Sequence, residues 1–589
     1  MIRHPIFSLS ILALLLAGGP AAAVSPQPSE ARNGMVVTAQ HYASEVGVEI
    51  LKEGGNAVDA AVAVGYALAV VLPCCGNIGG GGFATLHLAS GKDTFINFRE
   101  KAPLAATETM FLDASGKVVP DLSLRGYKAV AVPGTVLGLD TMLREYGTMP
   151  RERVMAPAIK LAEEGFLLAP GDVDALTSFA ASLAAQPNVA SIFLHDGTPW
   201  QPGDRLVQKD LAATLQAVAS KGPDVFYKGE IAEAVVAAST TNGGILAKPD
   251  FAEYNVTEAP PLQCSYRGYD LLSAPPPSSG GTTLCLLLNI LEGYPIGELG
   301  FHSASATSLM VEAMRHAYVD RNFDLGDPAF VDNPLGRLLS KDYAAAIRAK
   351  IAIGKAESSV DLRPGIPPHE GVETTHYSII DKDGNAVAVT YSLNGGFGAG
   401  VIAGHTGFLL NDVMDDFTIK PGTPNLFGLV QGKQNAIAPG KRPLSSMMPT
   451  IVTREGKTFM VIGSPGGSRI ITIVLEALMN VIDHGLDPQE AVDAPRIHHQ
   501  WLPDEVFAEP MALSPDTRKM LTDMGYKIVD QPPWGAAAMI VAEPAAPKVA
   551  SSPVADRPVP DGMAARRMKQ GRIYGANDDR RPAGAALGY

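Results

Sequence analysis

Two hydrophobic periodicities divide the chain. Apolar residues recur at helical spacing over 43–52, and the next stretch, from 57 to about 71, is apolar on almost every face. Gly54 and Gly55 stop the first helix, and Asn56 can cap the second. A helix without a polar face is a buried one, so this pair is expected in a core layer. Further helical patterns fall at 152–164, 209–220, 230–239, 284–291, 304–320 and 470–482, and strand-like runs at 84–87, 375–380, 386–392 and 457–462. Helices and strands in separated blocks predict layered α and β structure rather than a regular βαβ repeat. The stretch 543–560, rich in Ala, Pro and Ser, reads as a solvated low-complexity loop.

The hairpin pattern carries the first chemical content. The runs 375–380 and 386–392 flank Asp381, Lys382, Asp383, Gly384 and Asn385, a turn-forming cluster. A hairpin centred on Asp383 places position 374 across from 392, which sets the hydroxyl of Ser392 beside that of Thr374. A strand-initial hydroxyl with a second hydroxyl alongside is the arrangement of a nucleophile and its orienting partner. No Ser/His/Asp set is apparent nearby to supply a base, whereas a free α-amine on Thr374 itself would serve. That requires the Glu373–Thr374 bond to be cut, and the preceding 355–373, with Pro364, Pro367 and Pro368 among charges and glycines, reads as an exposed irregular linker. The competing reading is plain β-propensity of a Thr-Thr pair.

Composition narrows the partners. A chain of 589 residues, 46% hydrophobic and 18% charged, can bury a large core. The net charge of −14 makes nucleic acid and anionic membranes poor partners and leaves small molecules or peptides. Arg3 and His4, the apolar run 6–17 and Ala21, Ala22 and Ala23 form the three parts of a secretory signal peptide over 1–23, too short in its apolar run to span a bilayer. Export to the periplasm or the exterior is therefore expected. The four cysteines are ambiguous: Cys74 and Cys75 are adjacent, Cys264 and Cys285 sit in unrelated surroundings, and no disulfide is assigned. Cys285, inside an apolar helical run, is expected to be a buried free thiol.

Two glycine-rich segments invite functional readings. The run 76–82 has no Gly-Lys-Ser/Thr after it, so close backbone packing is preferred to a phosphate cradle. Gly466 and Gly467 lie where the strand 457–462 turns into the helix 470–482, with Ser468 as a possible cap and Gly485 as its stop. Amides at such a turn, at the positive end of a helix dipole, suit an oxyanion; a tight turn that needs glycine is the alternative. Arg99 suits a carboxylate clamp or an ion pair with Glu100. Asn394 projects on the same strand face as Ser392, Asp415 and Asp416 can take an ammonium or stay solvated, and Ser445 and Ser446 can bond a carboxylate or form a turn. His498 and His499 are adjacent, a poor spacing for two ligands, and neither metal nor cofactor is implied.

Together the runs Asn97-Phe98-Arg99-Glu100-Lys101-Ala102-Pro103, Thr374-Thr375-His376-Tyr377-Ser378, Arg442-Pro443-Leu444-Ser445-Ser446-Met447 and Gly463-Ser464-Pro465-Gly466-Gly467-Ser468-Arg469 resemble the γ-glutamyltranspeptidase family, in the family's order and over nearly the whole chain after the signal segment. The resemblance implies an N-terminal nucleophile hydrolase: a four-layer αββα sandwich made as an inactive zymogen that cuts itself into a large subunit, 24–373, and a small one, 374–589, intertwined in one catalytic domain. It implies Thr374 as nucleophile, Gly466 and Gly467 as oxyanion hole, Arg99, Ser445 and Ser446 around the glutamyl α-carboxylate, and Asn394 and Asp416 around the α-amine. Substrates would be γ-glutamyl amides such as glutathione, with water or an amino acid or peptide as acceptor. Ser392 stands where the bacterial pattern usually has threonine, which keeps the hydroxyl. Val413 stands where Gln or Glu is common near the α-amine, and 421–439 resembles the lid loop, with Phe427 at a position often tyrosine. The rival readings are a glutaryl or cephalosporin acylase of the same fold and, from another class, an unprocessed peptide-binding scaffold.

Overall fold

The computed structural model describes residues 25–195, 198–362, 374–542, 568–569 and 571–589. The segment 1–23 read above as a signal peptide, Glu373 with the end of the linker, and the low-complexity stretch 543–560 lie outside the described residues.

Two seven-stranded sheets form the centre. The first runs in the order Ala585–Gly588, Met35–Thr38, Thr375–Ile380, Ala386–Ser392, Gly81–His87, Asp93–Phe98, Thr257–Ala259, every neighbour antiparallel. The second runs Ser29–Ala31, Ile573–Asn577, Ala538–Ala542, Lys457–Gly463, Thr450–Arg454, Tyr269–Ser273, Leu262–Tyr266, again antiparallel. Their inner faces meet in a cluster of modest side chains, among them Val37, Ala386, Ala388, Val461 and Ile540. The outer face of the first sheet, with Tyr377, Val389 and Tyr391, packs under helices including His41–Lys52 and Ala57–Val71. Leu271, Val452 and Met460 of the second pack under Gly280–Leu291, Ala304–Asp324 and Ile470–Ile482. The result is the four-layer αββα sandwich that the resemblance implies.

Local chemistry explains the helix positions. Every residue of Ala57–Val71 is buried, and Asn56 closes a capping box: its Oδ1 accepts from Val58 N at 2.8 Å and Asp59 N at 3.0 Å, while Asp59 accepts from Asn56 N at 2.8 Å. Several strands, including Met35–Thr38, Thr450–Arg454 and Ala538–Ala542, were not evident as strands from the pattern. Layers cover both of their faces, which erases the polar alternation that marks a half-exposed strand.

The glycine run packs as a close backbone approach. A Cβ on Gly80 would lie 2.0 Å from the Ser392 carbonyl oxygen, and one on Gly82 would lie 2.4 Å from that of Thr390. Larger residues here would push the strand Gly81–His87 off the strand Ala386–Ser392.

The expectation for the cysteines is corrected. Cys264, on the edge strand Leu262–Tyr266, is bonded to Cys285 of the helix Gly280–Leu291, with Cα atoms 6.0 Å apart, and Cys74 is paired with adjacent Cys75. Periodicity showed Cys285 on a buried helix but could not show that the strand packing on that face carries the second thiol. The Cys264–Cys285 bridge spans 21 positions, which on chain-entropy grounds stabilises by about 3 kcal/mol. Replacing both cysteines by alanine should lower the urea unfolding free energy by that amount; an unchanged midpoint would show that the bridge contributes nothing.

Candidate active site

Thr374 immediately precedes the strand Thr375–Ile380, whose register against Ala386–Ser392 pairs Thr375 with Tyr391. One step further, position 374 stands opposite 392, as the turn residues require. Thr374, His376 and Ser378 share one face of the strand, the face toward the second sheet. His376 does not serve as a base: its Nδ1 meets Thr390 Oγ1 at 2.8 Å, its Nε2 meets Ser378 Oγ at 3.0 Å, and burial lowers its pKa to about 3. It is a neutral spacer between the sheets.

Thr374, Ser392, Arg99, Asn394, Asp416, Ser445, Ser446 and Gly467 all line one cavity. Segments at 99, 374, 392–394, 416, 445–446 and 467 thus meet at the start of the strand Thr375–Ile380. Gly466 precedes Gly467 in the turn but is not itself among the lining residues. Glu373 lies outside the described residues.

Each element has a local reason for its position. Ser392 Oγ accepts from Asn394 N at 2.8 Å, which ties the end of its strand to the turn that follows. Asn394 holds a left-handed φ of 85°, and its Nδ2 donates to the Asp412 carbonyl at 3.2 Å. Asp416 ends the short 3-10 turn Val413–Asp416, and its carbonyl accepts from Gln431 Nε2 at 3.1 Å and Asn435 Nδ2 at 2.6 Å. Asp415, expected to be solvated or to take an ammonium, is instead buried: it accepts from Ser123 Oγ at 2.8 Å and Leu426 N at 2.7 Å, tying down the loop that carries Phe427.

Arg99 combines both of its sequence readings. It leaves the strand Asp93–Phe98 with its carbonyl held by Tyr254 Oη at 2.9 Å, and its guanidinium donates to Glu100 at 3.2 Å and to Asp416. Burial raises the Asp416 carboxyl above its ordinary range, and Arg99 offsets part of that rise. Burial also pushes Glu100 up to about 7 against the opposing pull of Arg99. The folded state therefore holds the Glu100 proton where the unfolded chain, with an ordinary value near 4.5, has released it. The stability that this proton confers is complete below about 4.5 and is lost as pH rises through about 7. Glu100→Gln cannot titrate, so the stability of native protein relative to this variant should fall between pH 5 and 8. Parallel melting curves across that range would refute the assignment.

The second strand-to-helix turn departs from expectation in one detail. The helix Ile470–Ile482 is entered through a 3-10 turn, Gly467–Arg469, so Ser468 is not its cap; Ser468 Oγ donates to the Phe427 carbonyl at 3.4 Å instead. Gly466 and Gly467 have φ of +140° and +54°, and a Cβ on Gly467 would sit 2.2 Å from Phe427 Cδ1.

Val413 is also placed differently from the resemblance. It packs in an apolar cluster with Ala102, Phe111, Ala131 and Phe417, and it does not line the cavity. Sequence reasoning passed over Arg321, a cavity residue on the helix Ala304–Asp324, and Leu429, Leu444, Met447 and Ile470, which supply apolar wall. An arginine among buried helix positions was the available signal for the first; nothing distinguished the others. Among the described residues no cluster of His, Cys, Asp and Glu is arranged to hold a metal, and His498 and His499 are buried against Thr472 and Asp504.

Comparison with known proteins agrees with this geometry. The family model described as gamma-glutamyltranspeptidase matches residues 43–560. The glutathione hydrolase proenzyme of Pseudomonas sp. (strain A14) is 57% identical over 569 residues, covering 96% of both chains. That of Escherichia coli (strain K12) is 48% identical, covering 95% of this chain and 93% of its own. Among solved structures, cephalosporin acylase from Bacillus halodurans superposes with a TM-score of 0.81 at 27% identity, over 97% of this chain and 98% of its own. The chain belongs to the gamma-glutamyltranspeptidase family.

Proposed function

We propose that this protein is a self-processing γ-glutamyltransferase and glutathione hydrolase, in which Thr374 is both the cleavage nucleophile and the catalytic one. In the precursor, Thr374 Oγ1 attacks the carbonyl carbon of Glu373, the peptide nitrogen leaves as the threonine amine, and water hydrolyses the resulting ester. The product is a large subunit, 24–373, and a small subunit, 374–589. The freed α-amine then takes the Oγ1 proton as that oxygen attacks a γ-glutamyl amide, and it returns the proton to the leaving amine. Ser392 orients the threonine hydroxyl, and the amides of Gly466 and Gly467 receive the oxyanion. The γ-glutamyl ester passes to water, or to the amine of an amino acid or peptide. Export follows if the first 23 residues act as a signal peptide.

The observation that carries this reading is the buried contact between Arg99 and Asp416 inside the cavity that Thr374 lines. A free α-amino acid head is a zwitterion. Its carboxylate, on Arg99, Ser445 and Ser446, and its ammonium, on Asp416 and Asn394, replace one buried ion pair by two matched ones. A glutaryl group brings the acid chain without an ammonium, so engaging Arg99 leaves Asp416 buried and unpaired, an arrangement that costs about 3–5 kcal/mol. Glutaryl anilide should therefore be cleaved at least about 100-fold less efficiently than γ-glutamyl anilide. Equal kcat/KM on the two would reject the glutamyl reading in favour of an acylase.

A further inference from the structure

Arg321 is fully buried on the helix Ala304–Asp324, with its guanidinium at the cavity wall. Nε donates to Ser279 Oγ at 3.0 Å, Nη1 donates to Asn322 Oδ1 at 3.0 Å and to Gln431 Oε1 at 2.9 Å, and Nη2 donates to Ser446 Oγ at 3.0 Å. All four acceptors are uncharged. Burial holds the guanidinium down to about 10, and Tyr318 and Asp416 oppose that shift.

The direction of the bond to Ser446 matters. A serine hydroxyl has one proton, so a hydroxyl that accepts from a guanidinium keeps its own O–H for another partner. Ser445 is set the same way, because its Oγ accepts from Met447 N at 3.0 Å. A carboxylate only accepts, and two adjacent hydroxyls held as donors suit it. Gln431, the other arm of the same guanidinium, donates to the Asp416 carbonyl at 3.1 Å. Arg321 thus joins the side of the cavity that carries the serines to the side that carries the acid.

We infer that Arg321 is a positioning residue for substrate recognition: it fixes Ser446 as a hydrogen-bond donor to the α-carboxylate of the bound acyl group. This rests on the glutamyl reading above. Arg321 does not touch the reacting carbonyl, so its removal should weaken binding of the carboxylate and spare the chemical step.

The test compares L-γ-glutamyl-4-nitroanilide with 4-aminobutyryl-4-nitroanilide, which lacks only the α-carboxylate, on the purified wild type and on Arg321→Gln, Arg321→Lys, Ser446→Ala and the Arg321→Gln/Ser446→Ala double variant. Arg321→Gln should raise KM for the glutamyl anilide about 10- to 100-fold, the range for a hydrogen bond to a charged group, and change kcat less than about threefold. Its kcat/KM on the decarboxylated anilide should stay within about threefold of wild type. In the Ser446→Ala background the same change should add little, since the hydroxyl it orients is gone. Arg321→Lys keeps the charge and loses the fork, so it should show the same selective rise in KM even where Arg321→Gln fails to fold. Equal losses on both anilides, or full additivity with Ser446→Ala, would reduce Arg321 to a structural role and overturn the inference. A wild type that does not distinguish the anilides would instead overturn the glutamyl reading beneath it.

Discussion

Thr374→Ala should remain one uncut chain and lose at least about 10⁴-fold in turnover of γ-glutamyl anilide, the scale seen when a covalent nucleophile is removed. Both effects have one cause. The variant has no hydroxyl to attack Glu373, so no α-amine is released, and it has neither nucleophile nor base for the later reaction. Thr374→Ser keeps the hydroxyl and should still process. Intact mass and N-terminal sequencing decide the matter: native protein should give a fragment beginning at Thr374. A native chain that stays whole, or a Thr374→Ala chain that is cut at the same bond, would remove the basis of the mechanism and favour the binding scaffold. The cut halves should stay together under native conditions. The strand Thr375–Ile380 is hydrogen-bonded to Met35–Thr38 on one side and Ala386–Ser392 on the other, and the second sheet likewise draws on both sides of position 374. Separation should need denaturant.

Gly467→Ala is expected to give the second largest effect, a fall in kcat of about 10²–10³-fold with processing also slowed, comparable to loss of one oxyanion donor. The glycine has φ +54°, where a side chain costs about 1–2 kcal/mol, and its Cβ would lie 2.2 Å from Phe427 Cδ1 and 2.6 Å from Cε1. Something must move, and the candidates are the Gly467 amide, proposed above to receive the oxyanion, and the loop that carries Phe427. Phe427→Ala added to Gly467→Ala removes the clash but not the backbone strain, so it should recover part of the lost rate. A single variant with unchanged kcat would show that this turn does not stabilise the transition state. A double variant no better than the single one would show that backbone strain, and not the ring, displaces the amide.

What was legible in the sequence follows from local physics. The cluster at 381–385 specifies a turn, and a turn with two flanking β-runs specifies a register, which is why position 374 could be placed opposite 392. Capping at Asn56 and the almost wholly apolar run after it specified Ala57–Val71 to within a residue, and the helix Ile470–Ile482 was equally plain. The close approach of the run 76–82 was readable because only glycine permits it. The residues later found around the cavity were each ambiguous alone; their grouping came from resemblance to a family, since spacings of tens to hundreds of residues carry no distance information.

The tertiary structure decided everything that depends on two segments remote in sequence. It joined Cys264 to Cys285, because a strand edge and a helix face that share no local signal pack together. It moved Ser468 from cap to a contact with the Phe427 carbonyl by inserting a 3-10 turn ahead of the helix, and it turned Val413 into an apolar cluster and away from the cavity. It showed Arg99 pairing with both Glu100 and Asp416, where the chain alone offered a choice, and it brought Arg321 to the cavity wall. Taken by itself the sequence determined the elements, the hairpin register and the hydroxyl pair, all products of short-range periodicity and turn chemistry. Which buried charges face one another depends on how four layers stack, and only packing at long range determines that.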